Sequence, residues 1–298
     1  MAERRVKSNG LELWTESFGR PGDPPILLVM GASAQGIGWP EELIELLVAG
    51  GRFVIRYDHR DTGQSTYVDF QKNPYTLADL AADAVGVLDA YGLATAHLVG
   101  ASLGGMICQL ISVLYPQRVL SLTSMLSTPL RTGVQESFQR AFMGLTHTGG
   151  LPPPDPRAVQ VFIELASRPP RTRQEHLEAQ MKTLRALSGR GVPFEEQRYR
   201  AWVERMLDRA RDITAANNHG LVPSPTREQA EGLRRLRVPT LVIHGTDDPM
   251  FPAAHGAATA EAIPGAKLLM LEGLGHGLPP ALCGEFARAI LEHTGAKA

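Results

Sequence analysis

Ser102, Asp248 and His276 follow one another along the chain as a nucleophile, a carboxylate and a base, each next to a glycine-rich turn. A serine hydroxyl attacks carbonyl carbon poorly until a base takes its proton, and the base needs a carboxylate to orient it. Together these side chains can carry acyl transfer through an ester on the serine. Ser102 sits in Gly100-Ala101-Ser102-Leu103-Gly104, with an apolar run at 96–99 before it and another at 106–114 after it. Strand, Gly-x-Ser-x-Gly and helix form a nucleophile elbow, a turn so tight that only small neighbours fit. Asp248 stands at the third position past Gly245, where its loop can turn it inward, and the adjacent Asp247 reads as a turn residue. His276 lies between Gly275 and Gly277, just after the run 267–271.

A tetrahedral intermediate also needs two N–H donors for its oxyanion. Leu103, next after the serine, offers one backbone N–H. Ala32, in the sharp turn Gly31-Ala32-Ser33, is placed to offer the other, with Gly31 allowing close approach.

The elements that must hold these groups alternate. Asn9-Gly10, a type I′ hairpin signal, joins strands at 6–8 and 11–17. Strands follow at 26–30, 53–57, 96–99 and 119–126, interleaved with helices at 40–49 and 76–91 and the helix after the elbow. From about 129 to 233 only helical patterns remain, at 134–145, 158–167, 173–188 and 195–217. Alternation resumes with strands at 239–244 and 267–271 and helices at 253–263 and 280–293. This pattern predicts a mostly parallel eight-stranded sheet flanked by helices. Residues 1–128 and 234–298 form its core, and 129–233 form an inserted all-helical cap over the carboxyl ends of the strands, where such sheets bind ligands.

Composition narrows the class. Lys plus Arg is 30 and Asp plus Glu 31, a formal net charge of −1, so no bulk basic field is available for nucleic acid. Between 157 and 212 the balance is locally +4 (12 basic minus 8 acidic residues), which solvated helix faces explain as well as an acidic ligand would. No apolar run approaches the roughly 18 residues of a membrane span. The charged start, Met1-Ala2-Glu3-Arg4-Arg5, lacks a signal-peptide core, so a cytoplasmic chain is expected, with Cys108 and Cys283 as buried thiols. Gly31, Gly36 and Gly38 form no phosphate-binding pattern.

Among the other histidines, His59 is expected to hold the loop after its strand and His97 and His244 to be structural, while His147 and His219 lie in the cap, where they could touch substrate but read more simply as solvated polar groups. Met30 beside the oxyanion loop, with Phe138, Phe142, Trp202 and Met206 in the cap, are the candidate substrate contacts. Trp202 and Met206 share a helical stripe with Tyr199, a pattern that is usually core packing, although in a cap the core face and the pocket wall can be the same face.

Met30-Gly31-Ala32, Asp58-His59-Arg60-Asp61-Thr62-Gly63-Gln64-Ser65, the elbow, Gly245 to Pro249 and Gly275-His276 resemble an α/β-hydrolase with a helical cap, over nearly the whole chain. Tyr57 to Gly63, together with Ser188-Gly189-Arg190-Gly191-Val192-Pro193-Phe194, resembles bacterial aclacinomycin methylesterases, which hydrolyse a methyl ester on an anthracycline polyketide. The chain is also similar to the serine-dependent macrolide esterases of resistance elements, which open a macrolactone. Many relatives have His-Gly where this chain has Met30-Gly31, a change that leaves the backbone donors in place. The resemblance implies a serine ester hydrolase for a bulky polyketide ester or lactone, with no cofactor or metal and a small molecule as its partner. A perhydrolase, a C–C hydrolase or a low-turnover receptor of the same fold are the competing readings.

Overall fold

Asn9 and Gly10 both take positive φ, 49° and 78°, the backbone a type I′ turn requires. They join β1 (Ala2–Ser8) to β2 (Leu11–Phe18) in antiparallel register. The computed structural model describes residues 1–147 and 149–295. Thr148, inside the expected cap, and residues 296–298, at the end of the expected core, lie outside the described residues. The described residues form eight strands, completed by β3 (Pro25–Val29), β4 (Phe53–Tyr57), β5 (Ala96–Ala101), β6 (Val119–Met125), β7 (Thr240–Gly245) and β8 (Lys267–Leu271). They make one sheet in the order β1-β2-β4-β3-β5-β6-β7-β8, parallel from β4 to β8 and antiparallel at β1 and β2.

The central strands are apolar on both faces because helices cover both. Leu27, Val29, Ile55 and Leu98 pack beneath α2 (Leu77–Ala90) and α3 (Leu103–Leu114). Ile26, Leu28, Val54 and Val99 pack beneath α1 (Glu41–Ala49) and α10 (Cys283–Gly295). At its N-terminus α2 carries a reciprocal Thr76–Asp79 capping box, which satisfies two orphan donors. Cys108 and Cys283 are both buried and free, as expected.

Between β6 and β7 the described chain is helical: α4 (Val134–Phe142), α5 (Pro156–Ser167), α6 (Arg173–Leu187), α7 (Glu196–Arg209) and the short α8 (Arg227–Gly232). The helix expected over 195–217 is broken. α7 ends at Arg209, and the chain re-forms as a 3-10 turn, Ala215–Leu221. The Asp212 carboxylate accepts from the Thr214 N–H at 2.8 Å and the Thr214 hydroxyl at 2.7 Å, local bonds that compete with the helical ladder. A third apolar cluster joins this insert to the sheet, with Leu177, Met181, Val203, Met206 and Leu207 packed on Trp14 and Ile37. α9 (Ala254–Ala262) packs against β7 and β8. No described helix is long and apolar enough to cross a membrane.

Candidate active site

β5 ends at Ala101 and α3 begins at Leu103, so Ser102 alone makes the turn. It does so with φ 55° and ψ −121°, a conformation costing a non-glycine residue about 1–3 kcal/mol. The surroundings hold it there: its N–H donates to the Met125 carbonyl at 2.9 Å, and the Ser127 hydroxyl donates to its carbonyl at 2.7 Å. A Cβ on Gly104 would come within 2.0 Å of the Val29 carbonyl oxygen, so only glycine lets β3 and α3 approach so closely. On the other side, a Cβ on Gly31 would sit 3.2 Å from Cβ of Ser102. The turn after β3 thus abuts the serine, with Ala32 as its next residue. Among the described residues, neither the Ala32 nor the Leu103 N–H donates to another protein group.

His276 Nε2 is 3.0 Å from Ser102 Oγ, and its Nδ1 is 2.8 Å from Asp248 Oδ2. A carboxylate only accepts, so Nδ1 carries the proton and Nε2 accepts from the serine hydroxyl. The Asp248 side chain is buried, and its Oδ1 accepts from the N–H groups of Met250 and Phe251, both at 2.8 Å. Asp247, by contrast, turns away and accepts from the Arg190 N–H at 3.0 Å. His244 comes within 3.8 Å of Asp248, but burial holds its imidazole below the usual histidine pKa and therefore neutral. Its Nε2–H donates to the Phe251 carbonyl at 2.7 Å, so it braces the aspartate's loop rather than pairing with its charge.

The loop carrying Ala32 is braced from below and above. Asp58, at the end of β4, accepts from the Gly36 N–H at 2.7 Å and from Arg209, the last residue of α7, at 3.1 Å. Arg209 also lies over the Trp14 ring, 4.2 Å from its centroid. Burial lifts the Asp58 carboxyl above its ordinary pKa, against the pull of Arg209. His59 holds its loop as expected, its Nε2–H donating to the Met30 carbonyl at 2.9 Å, and burial pulls its pKa down to about 3. His219 corrects its expectation. It is 4% exposed rather than solvated, and it bonds Ser33 and Arg60 because the broken α7 folds it back onto the core.

The insert also grips the histidine loop. The His276 N–H donates to the Leu187 carbonyl at 2.7 Å, and the Gly191 N–H donates to the Gly273 carbonyl at 3.1 Å. The Ser188-Gly189-Arg190-Gly191 sequence carried this signal, since two glycines so close mark a backbone-to-backbone approach. His255 ties a further point, accepting from the Thr128 hydroxyl and donating to the Pro152 carbonyl, both at 2.9 Å.

The candidate substrate contacts separate into groups. Met30 and Trp202 converge on Gly38, where a Cβ would meet Met30 Cε at 3.1 Å and Trp202 Cζ2 at 3.5 Å. Phe138 lies 5.6 Å from Phe251, and Phe251 lies 5.6 Å from the His276 ring, so an aromatic path leads from the histidine to α4. Phe251 had no signal in the sequence. Phe142 is farther out, 6.4 Å from Phe138 and partly exposed. Met206 is buried in the third apolar cluster, where its stripe is core. A cavity of about 500 Å³ opens between α4 and α5, lined by Arg131, Arg140, Leu145, His147 and Ile163 among others. Neither Ser102 nor Phe138, Phe251 or His276 lines it. Among the described residues, no three His, Cys, Asp or Glu side chains group to hold a metal ion.

The alpha/beta hydrolase fold family matches residues 24–279. Rhodomycin D methylesterase DauP of Streptomyces sp. (strain C5) is 38% identical over 99% of this chain and 98% of its own. Rhodomycin D methylesterase DnrP of Streptomyces peucetius is equally similar, 38% over the same shares. Among solved structures, 2-hydroxy-6-oxo-6-phenylhexa-2,4-dienoate hydrolase from Rhodococcus sp. strain RHA1 superposes with a TM-score of 0.74, at 20% identity and covering 99% of both chains. The chain belongs to the α/β-hydrolase fold family, and within it is a carboxylic ester hydrolase.

Proposed function

We propose that this chain hydrolyses a methyl ester carried on an anthracycline-type polyketide, by a Ser-His-Asp acyl-enzyme mechanism. The Ser102–His276–Asp248 relay, with contacts of 3.0 and 2.8 Å, is the observation that carries the mechanism. Full-length likeness to the two rhodomycin D methylesterases supports the substrate class. In this reading Ser102 Oγ attacks the ester carbonyl as its proton passes to His276 Nε2. The new imidazolium is stabilised by Asp248, and the Ala32 and Leu103 N–H groups receive the oxyanion. His276 then protonates the departing methoxide, methanol leaves, and a water activated by the same histidine releases the acid and restores the serine.

Residues 129–233 act as the cap of this site. Met30 and Trp202 form one wall of its entrance, and Phe138 with Phe251 the other, in keeping with a flat, apolar substrate. Mass spectrometry of products from rhodomycin D and from a macrolide lactone tests the assignment. A methyl esterase adds water to rhodomycin D and releases methanol, leaving the macrolide intact. Hydration of the macrolide without fragmentation, with rhodomycin D untouched, would place the chain among the ring-opening esterases instead.

A further inference from the structure

We propose that His219 is a positioning residue for the oxyanion hole, holding the Ser33 backbone so that the neighbouring Ala32 N–H faces Ser102. This rests on the assignment of Ala32 as an oxyanion donor made above. Ser33 has φ 59°, a left-handed backbone that a side-chain-bearing residue does not keep without external hold. Two bonds from one turn of the cap supply that hold. The Ser33 N–H donates to His219 Nδ1 at 3.0 Å, and the Ser33 hydroxyl donates to the Ala216 carbonyl at 2.8 Å. Within the loop itself, the described bond is a long one, from the Ala34 N–H to the Gly31 carbonyl at 3.4 Å. The cap therefore fixes Ser33, the residue that follows Ala32, and through it the orientation of the adjoining peptide that carries the Ala32 N–H.

Histidine suits this place because its two nitrogens point in opposite directions with opposite roles. Nδ1 accepts from Ser33, while Nε2–H donates to the Arg60 carbonyl at 2.9 Å in the loop after β4. The ring thus spans two core loops as a rigid strut. It can do so only when neutral, and burial keeps its pKa below the usual histidine value.

His219→Asn sets a carbonyl oxygen near the place of Nδ1 and gives up the Arg60 bond. His219→Gln sets an amide donor near Nε2 and gives up the Ser33 bond. With rhodomycin D, His219→Gln is expected to lower kcat on the order of ten- to a hundredfold with little change in KM, because an oxyanion contact is made only in the transition state. His219→Asn should keep kcat within a few-fold of the parent, and phenylboronic acid, which forms a tetrahedral adduct on serine, should bind His219→Gln more weakly by a similar factor. A parental kcat in His219→Gln, or equal losses in both variants that follow their melting temperatures, would overturn the proposal. Ser102→Ala run beside them keeps the two readings apart. Loss of turnover there with an indifferent His219→Gln refutes the positioning role alone, whereas retained turnover refutes the serine mechanism beneath it.

Discussion

Leu187, the last residue of α6, accepts a hydrogen bond from the backbone N–H of His276 at 2.7 Å. The proposed general base is thus held by the cap from its main chain and by Asp248 from its ring. Beside that bond Gly189 and Gly191 lie against Gly273 and Gly275 with no room for a Cβ at any of the four. A Cβ on Gly275 would fall 2.1 Å from the Gly189 nitrogen. Together with the contacts of His219 and Arg209, this ties the helical insert to the loops that carry the proposed catalytic groups.

Gly189→Ala tests this interlock. Its new methyl would lie 2.0 Å from the Gly273 carbonyl oxygen and must push the histidine loop away. Overpacking of this kind costs about 1–3 kcal/mol of stability, and a shift of about 1 Å in the base lowers kcat on the order of a hundredfold. Urea denaturation and steady-state kinetics on one preparation measure both effects. Unchanged kcat would show that the interlock does not position His276.

The two neighbouring aspartates should behave differently. Asp248→Asn presents an amide to His276 Nδ1 and favours the wrong tautomer, so kcat is expected to fall by roughly 10⁴-fold. Asp247→Asn weakens a contact to the exposed Arg190 side chain and should alter kcat by less than about fivefold. Kinetics of the pair on a simple aryl ester distinguish them, and the reverse ranking would exchange their roles.

The sheet and the grouping of Ser102, Asp248 and His276 were legible because both depend on local signals. Alternating apolar runs gave the strands, and glycine-flanked Ser102, Asp248 and His276 fell on loops at the carboxyl ends of β5, β7 and β8. What escaped the sequence depends on long-range placement. Asp212 broke the helix expected over 195–217 through bonds that compete with the helical ladder, and that break returned His219 to the core. Met206 kept the apolar stripe of α7 but spent it on Trp14 and Ile37. Phe251 carries no motif and meets His276 only through the fold of its loop.

Stability should fall as the medium becomes mildly acidic. Burial depresses His59 to about 3 and His97 and His255 to about 4, whereas in the unfolded chain each takes up a proton near 6.5. The unfolded state therefore binds more protons over this range. The stabilisation is present above pH 6.5 and is lost as pH falls towards 4. Between pH 6.5 and 5 the three together account for a loss on the order of 5 kcal/mol. Urea midpoints across that range measure it, and a flat profile would mean these rings are not neutral and buried.

Phe138→Ala should separate bulky from small substrates. Its ring continues the path from His276 through Phe251, so its loss removes apolar contact worth about 1–3 kcal/mol from a polycyclic ester. The expected result is a kcat/KM for rhodomycin D lower by about tenfold or more, with hydrolysis of a short aryl acetate little changed. An equal effect on both would assign Phe138 to packing.

The most direct test is turnover of a methyl ester by Ser102→Ala beside the parent, followed as methanol release from rhodomycin D. Removing the nucleophile of such a relay costs on the order of a millionfold in kcat. The account predicts methanol and free acid from the parent and none above background from the variant. Methanol release at the parental rate by Ser102→Ala would contradict it.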